Sequence, residues 1–192
     1  MANKGTPFER EICKLLSLWW SGGTRDDIFW RTDNSGGRAK FRKRRQNKDT
    51  YGQSGDIQAV DPIGQPLLDA FTCELKRGYS KYTITDMLDK RPRMAIQQWE
   101  KHVRQAHTDS KNAGSKYWML ISRRDRREAL ADIPLSAARR LERNGSKIFQ
   151  FPHMECYLEL KNGRRVAVLS MRLCDFLKST EPCHIMNIGE IG

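Results

Sequence analysis

An α/β fold, a central mixed β-sheet flanked by helices, is what this 192-residue chain predicts, on three observations. A stretch near the N terminus repeats its apolar residues with helical period. Residues 117 to 122, Tyr117-Trp118-Met119-Leu120-Ile121-Ser122, form a nearly continuous apolar run of the kind found in a buried central strand. Between them lie Ser54-Gly55-Asp56-Ile57-Gln58 and Phe71-Thr72-Cys73-Glu74-Leu75-Lys76, both with the period of two that strands impose.

The first helix is expected over residues 6 to 20, with Thr6 as N-cap and Pro7 at the first helical position. Phe8, Ile12, Leu15, Leu16 and Trp19 form its stripe, Glu9 falls at the margin between Leu16 and Trp20, and Arg10, Lys14 and Ser17 lie opposite. Glu9 is thus turned toward the protein, although a first-turn glutamate also suits the helix dipole and the helix alone leaves both readings open. After Ser21-Gly22-Gly23, residues 27 to 32 read as a strand rich in large, β-favouring types. Residues 33 to 54 form a long irregular segment with Asn34-Ser35-Gly36-Gly37 followed by Arg38, Lys40, Arg42, Lys43, Arg44, Arg45 and Lys48. Phe41 and Tyr51 are interleaved, and no apolar stripe is present to bury a helix. Loops of this length are usually functional or disordered; a basic run is often only solvated surface or a tether, but beside a site that handles phosphates it reads better as a strand-tracking or groove-entering loop.

Asp61-Pro62-Ile63-Gly64 predicts a turn joining the two alternating strands. Residues 77 to 90 leave the second strand as a loop with cations and aromatics. A helix is expected from Pro92 to about Ala106, with Ile96, Trp99, Val103 and Ala106 inward and Gln97, Glu100, Lys101 and Arg104 outward. Beyond the apolar strand, Arg123, Arg124, Arg126 and Arg127 read equally as a second phosphate patch or as plain surface. A helix from about Pro134 carries Leu135, Ala138 and Leu141 inward and ends at Asn144-Gly145. Residues 147 to 151 read as a further strand, and residues 156 to 160 with 165 to 169 as a hairpin around Asn162-Gly163. Met171 to Lys178 give a last helical turn or two before a loose tail.

The whole chain is expected to form one domain, residues 1 to 192, with a core at about 4 to 122, the basic loop at 33 to 54 and an extension at about 123 to 192. Thirty-five Lys and Arg against 23 Asp and Glu give a net charge of +12, which points to a polyanionic partner, most simply a phosphate backbone. No apolar run reaches the ~20 residues of a membrane span and the N terminus has no signal core, so no membrane is involved and a cytoplasmic location is expected. The five cysteines are irregularly spaced and without a Cys-x-x-Cys pair, which favours reduced thiols over disulfides or structural zinc. No GxGxxG or Walker loop is present, and no nucleotide cofactor is expected.

Strand alternation places Asp56 with Gln58 on one face, and Thr72, Glu74 and Lys76 on one face with Phe71, Cys73 and Leu75 turned into the core. Carboxylates and an ammonium in an apolar setting are costly to desolvate unless they pair or bind a metal. Phosphodiester hydrolysis needs a nucleophilic water, neutralisation of the transition state and help for the leaving oxygen, and Mg2+ or Mn2+ held by carboxylates can supply these. Asp56, Glu74 and the backbone carbonyl of Leu75 are the expected ligands, with Glu9 reaching in directly or through water. Lys76 would position or deprotonate the water, or stabilise developing charge.

This arrangement resembles the PD-(D/E)XK nucleases of restriction-endonuclease fold, whose paired signature is matched by Gly55-Asp56 and, after a spacer of 17 residues, Glu74-Leu75-Lys76, preceded by a helix bearing Glu9. The match looks closest to archaeal-type Holliday-junction resolvases. Lys4-Gly5-Thr6-Pro7-Phe8-Glu9-Arg10 is similar to their opening Lys-Gly-x-x-x-Glu-Arg, whose glutamate is a metal-site residue, and Ser35 aligns with a small hydroxyl residue of a loop near the scissile phosphate. The resemblance spans residues 4 to 122 and implies a restriction-endonuclease-like core of order α-β-β-β-α-β, with an extra C-terminal hairpin and helix. It further implies an Mg/Mn-dependent DNA endonuclease, and a homodimer cutting branched or structured DNA. Gly55 in place of the signature proline, the long basic loop and the extra hairpin depart from the pattern and bear on junction specificity. The alternatives are a sequence-specific or repair-type duplex endonuclease, and a non-catalytic nucleic-acid-binding protein on a nuclease scaffold.

Overall fold

Alternation in the segment that starts at Phe71 builds the strand on which the rest is arranged. The computed structural model describes residues 5–32, 55–78, 98–159 and 165–189. Strand β3 (Phe71–Gly78) runs parallel to β4 (Tyr117–Arg124), in register from Phe71 opposite Tyr117 to Gly78 opposite Arg124. A parallel pair requires a long crossover, and among the described residues this one contains helix α3 (Gln98–Ala113). Next come β5 (Ala129–Pro134), α4 (Leu135–Arg143), β6 (His153–Glu159) and β7 (Arg165–Arg172), giving a five-stranded mixed sheet of order β3-β4-β5-β7-β6. Helices α1 (Gly5–Trp20) and α2 (Gln65–Ala70) precede β3, and α5 (Leu173–Ser179) and α6 (Pro182–Gly189) end the chain. This is the mixed, helix-flanked sheet expected of a restriction-endonuclease-like fold.

The two faces of the sheet are dressed unequally. Phe71, Cys73 and Leu75 join Met119, Ile121, Ala131, Ile133, Leu169 and Met171 in a core that also takes residues of α1, α2, α4, α5 and α6. On the other face Trp118, Leu120, Cys156, Leu158 and Val168 meet Val103 and Ala106 of α3. Each fully buried Leu, Ile or Phe in these layers is worth roughly 1.5–3 kcal/mol.

Several elements differ from the sequence reading, each for a physical reason. The first alternating strand, β2 (Ile57–Ala59), pairs with β1 (Phe29–Arg31) in a separate antiparallel ribbon and is not in β3's sheet. The link between β2 and β3 is more than a turn. Asp61 accepts the Ile63 N–H (3.0 Å) to cap a short 3-10 helix, Pro62–Gly64, which runs on into α2. The buried face of α1 is rotated, for Ser17 is fully buried and Leu15 is 39% exposed. The Ser17 hydroxyl accepts the Phe29 N–H (2.9 Å) and donates to the Cys13 carbonyl (2.8 Å), and so ties β1 to the helix.

Residues 147–151 hold a 3-10 turn, Ile148–Gln150, where a strand was expected, and β5 occupies a stretch read as a connection. Glu100 is buried instead of facing outward. The expected loose tail is helix α6, which packs on α2 and α4 with Ile185 and Ile188 fully buried. Trp19 fixes this end by donating to the carbonyls of Leu177 (2.9 Å) and Thr180 (3.0 Å). Residues past 122 thus supply three of the five sheet strands. The hairpin turn, the predicted start of α3 before Gln98 and the loop beyond Gly78 lie outside the described residues. Among the described residues no helix is long and apolar enough to cross a membrane.

Candidate active site

Gly55 explains how Asp56 comes to lie against β3. Its φ is +86°, a left-handed value open to glycine and closed to proline, whose ring holds φ near −65°. A Cβ at this position would stand 2.7 Å from the Cys73 carbonyl oxygen. The backbone can therefore pass close enough for the Asp56 N–H to donate to the Cys73 carbonyl (2.8 Å), while Asp56 Oδ2 accepts the Leu75 N–H (2.8 Å). Two bonds in opposite senses clamp Asp56 beside Glu74 although no ladder joins the two strands.

Glu74 and Lys76 share the α3 face of β3, as alternation requires, and their side chains form an ion pair. Glu74 is 3% exposed and Asp56 8%. Burial pushes the Glu74 carboxyl up to about 7, and the nearby Asp56 charge adds to the rise against the opposing pull of Lys76. Asp56 is likewise raised, first by burial and further by Glu9 and Asp109, while the Leu75 N–H and Lys76 hold it down. Among the described residues this cluster holds more negative charge than its one ammonium offsets.

Glu9 stands somewhat apart. Its Oε2 pairs with Arg31 Nη1 of β1 at 3.1 Å, and Glu9, Asp56 and Glu74 do not bring one oxygen each within 4.8 Å of one another. Asp56, Glu74, Leu75 and Lys76 are thus gathered directly, and Glu9 reaches Asp56 through its field. Ser35, Arg38, Lys40, Arg42, Lys43, Arg44, Arg45 and Lys48 lie outside the described residues.

Helix α3 adds groups that the sequence reading passed over. Gln98, His102, Gln105 and Asp109 recur at the 4-3-4 spacing that makes one ridge of a helix, beside the apolar ridge of Trp99, Val103 and Ala106. Gln105 Nε2 donates to Glu74 Oε1 (2.6 Å), and the field of the buried Asp109 acts on both Asp56 and Glu74. His102 bonds Gln98 at 2.8 Å, and burial, with the charge of Lys76, pulls its imidazole down to about 4. That polar row is the signal in the sequence, although by itself it looks like a solvated face. Of the arginines after β4, Arg123 makes a two-pronged pair with Glu11 and lies 4.8 Å from the centre of the Phe8 ring, so it anchors α1 to the sheet. Arg126 and Arg127 are exposed.

The donor set fits a hard divalent cation. Among the described residues these two buried carboxylates have one ammonium beside them, their oxygens are of the type that Mg2+ and Mn2+ prefer, and no sulfur or imidazole ligand is in the set. A different trio, Glu181, Cys183 and His184 near the start of α6, has ligand atoms within 4.8 Å, but His184 Nδ1 is engaged in accepting the Glu181 N–H (3.0 Å).

A mixed sheet bearing the Glu74-x-Lys76 pair, with Asp56 held against its strand, defines the PD-(D/E)XK nuclease class. The chain belongs to the family described as "Phage putative PDDEXK endonuclease", whose model matches residues 1–187. It is thus a nuclease-type hydrolase of a class that generally uses divalent metals. No match was found among curated proteins or among solved structures.

Proposed function

We propose that this nuclease is an Mg2+- or Mn2+-dependent endonuclease that hydrolyses DNA phosphodiester bonds in branched or structured substrates, of which a four-way junction is the type. The observation that carries the catalytic part is the clamp of Asp56 onto the Leu75 amide, with Glu74 and Lys76 paired beside it. Asp56 and Glu74 would hold the ion with the Leu75 carbonyl, and Glu9, retained by Arg31, would act through a bound water. The ion supplies charge neutralisation for the transition state and a more acidic water. Lys76 keeps an ammonium at Glu74 that can orient the attacking water or offset charge growing on the phosphate. Gln105 holds Glu74 Oε1 and leaves its other oxygen for the site.

The preference for branched DNA rests on the opening Lys4-Gly5-Thr6-Pro7-Phe8-Glu9-Arg10, and the homodimer on the symmetry of two-strand cutting. Ser35, Arg38, Lys40, Arg42, Lys43, Arg44, Arg45 and Lys48 supply phosphate contacts. Incubation with a four-way junction, linear duplex, flap and single strand, each with and without Mg2+ or Mn2+, tests the proposal. Metal-dependent cutting confined to branched substrates supports it, and cutting of plain duplex at the same rate removes the junction preference. Retention without cutting under any condition removes the catalytic reading. Neutralising Arg42, Lys43, Arg44 and Arg45 together is expected to weaken DNA binding and flatten its salt dependence, since each phosphate contact contributes about 0.9 to the log–log slope for duplex DNA.

A further inference from the structure

The β1–β2 ribbon has two faces of opposite character. Phe29 and Ile57 point into the core that holds Phe71, Cys73 and Leu75 of β3 and the buried residues of α1. Their partners across the ribbon, Ala59 and Arg31, share that face, and Arg31 reaches Glu9 of α1. Trp30 and its partner Gln58 therefore face the other way, the side on which β3 carries Glu74 and Lys76. The ribbon continues past Arg31, where the Thr32 N–H donates to the Asp56 carbonyl (3.1 Å), so Asp56 follows Gln58 on this same face. Gln58 is about 6–7 Å from Asp56 along the strand, and Trp30, on the diagonal, about 7–8 Å.

Helix α3 packs on this side over β3 and β4, and the ribbon beside it keeps an open aromatic. Trp30 is 46% exposed, whereas the other four tryptophans are buried or half-buried. Among the described residues its ring makes no aromatic contact and no hydrogen bond, and the Gln58 amide makes no hydrogen bond either. Charge says what such a face would meet. The chain carries +12, and the sequence between β1 and β2, residues 33 to 54, holds seven Lys and Arg against two Asp. An aromatic face one nucleotide's reach from a metal-binding carboxylate, on a chain of this charge, suits a nucleobase, which offers a flat face whatever its identity.

We propose that Trp30 is a stacking platform for an unpaired base beside the scissile phosphate, with the Gln58 amide hydrogen-bonded to the same nucleotide. The platform rests on the endonuclease reading and gives the preference for branched DNA a structural source. Base faces are closed off inside a paired duplex and open at a branch.

The probe is a DNA fork with 2-aminopurine moved through the first few unpaired positions, bound by the full-length, metal-free protein. Trp30→Ala, Trp30→Leu and Trp30→Phe are compared with the parent. The parent should quench the probe at one position and Trp30→Phe should keep most of that quenching. Trp30→Ala and Trp30→Leu should lose it at protein concentrations that still saturate the fork in a gel shift. In these two variants affinity for the fork should fall at least about fivefold, the low end for one base–aromatic stack, and affinity for paired duplex less than about twofold. Trp30→Leu retains apolar bulk without a π face, so it keeps the test open even if Trp30→Ala does not fold.

Quenching that survives in Trp30→Ala, or equal losses on fork and duplex, overturns the platform. So does a shift in the sedimentation of DNA-free protein on Trp30→Ala with fork binding intact, which assigns the ribbon face to a second copy of the chain. Mg2+-dependent cutting of the fork that the three variants match removes the platform and leaves the endonuclease standing. A parent that binds no DNA removes both.

Discussion

Glu74 and Asp132 sit on one rung of the sheet, either side of Leu120, and both are buried on the face that α3 covers. Their company differs. Glu74 has Lys76, Gln105 and Asp56 around it, and its carboxyl is pushed up to about 7 by burial and then by the Asp56 charge. Asp132 lies among Leu120, Cys156 and Val168, accepts the Trp99 Nε1–H (2.9 Å), and is pushed up to about 6 by burial, which Ser170 and Trp99 only partly relieve. Burial and a raised carboxyl by themselves therefore do not tell the two apart. What sets Glu74 apart is a second carboxylate held close enough to repel it, a charge excess that a divalent ion can satisfy.

The comparison breaks most visibly in cleavage. Glu74→Ala is expected to lower the cutting rate on the order of 10³-fold or more, the scale of losing a group that acts on the transition state, while DNA retention in a gel-shift assay persists. Asp132→Asn should cut within a few-fold of the parent, and equal losses in the two variants would erase the distinction. Gly55→Ala comes next. A Cβ 2.7 Å from the Cys73 carbonyl, at φ +86°, should cost about 2 kcal/mol or more in urea unfolding and move Asp56 enough to slow cutting well beyond the stability loss. Gln105→Ala removes one donor to Glu74 and should slow cutting about tenfold with little change in unfolding midpoint.

The smallest expected effects are in pH dependence. A carboxyl whose folded pKa exceeds its unfolded one binds its proton more tightly in the native state, so its contribution is present at low pH and is lost as pH rises through the folded value. The metal-free protein should accordingly lose stability between about pH 4 and 7 as Asp132 and Glu74 ionise. Mg2+ should restore part of the loss at pH 8 and little at pH 5, and Asp132→Asn should shrink the metal-independent part. Thermal melts at the two pH values, with and without Mg2+, read both.

Much of this was legible in the residues themselves. Cys73, Glu74, Leu75 and Lys76 announce β3 and its two faces because a period of two has one structural meaning, and the apolar run of β4 and the β6–β7 pairing are equally plain. β5 was hidden because Asp132 and Pro134 spoil the pattern of a buried strand, and their compensation, the Trp99 bond and the start of α4, is tertiary. Helix α6 was hidden for a related reason. Ile185 and Ile188 are too few to show a period, and only packing against α2 and α4 reveals their use. Within the site, Asp56 and Glu74 were readable from spacing, whereas Gln105 and Asp109 required knowing which ridge of α3 faces β3. The Arg31 pair that holds Glu9 aside depends on a β1–β2 ribbon that no local pattern specifies.

Diffraction from Mn2+-soaked crystals, with data collected at the manganese edge, addresses the central claim most directly. The account predicts an anomalous peak about 2.0–2.2 Å from an oxygen of Asp56 and one of Glu74, lost in Glu74→Ala. A peak bound elsewhere, or none at these carboxylates at saturating Mn2+, would contradict it.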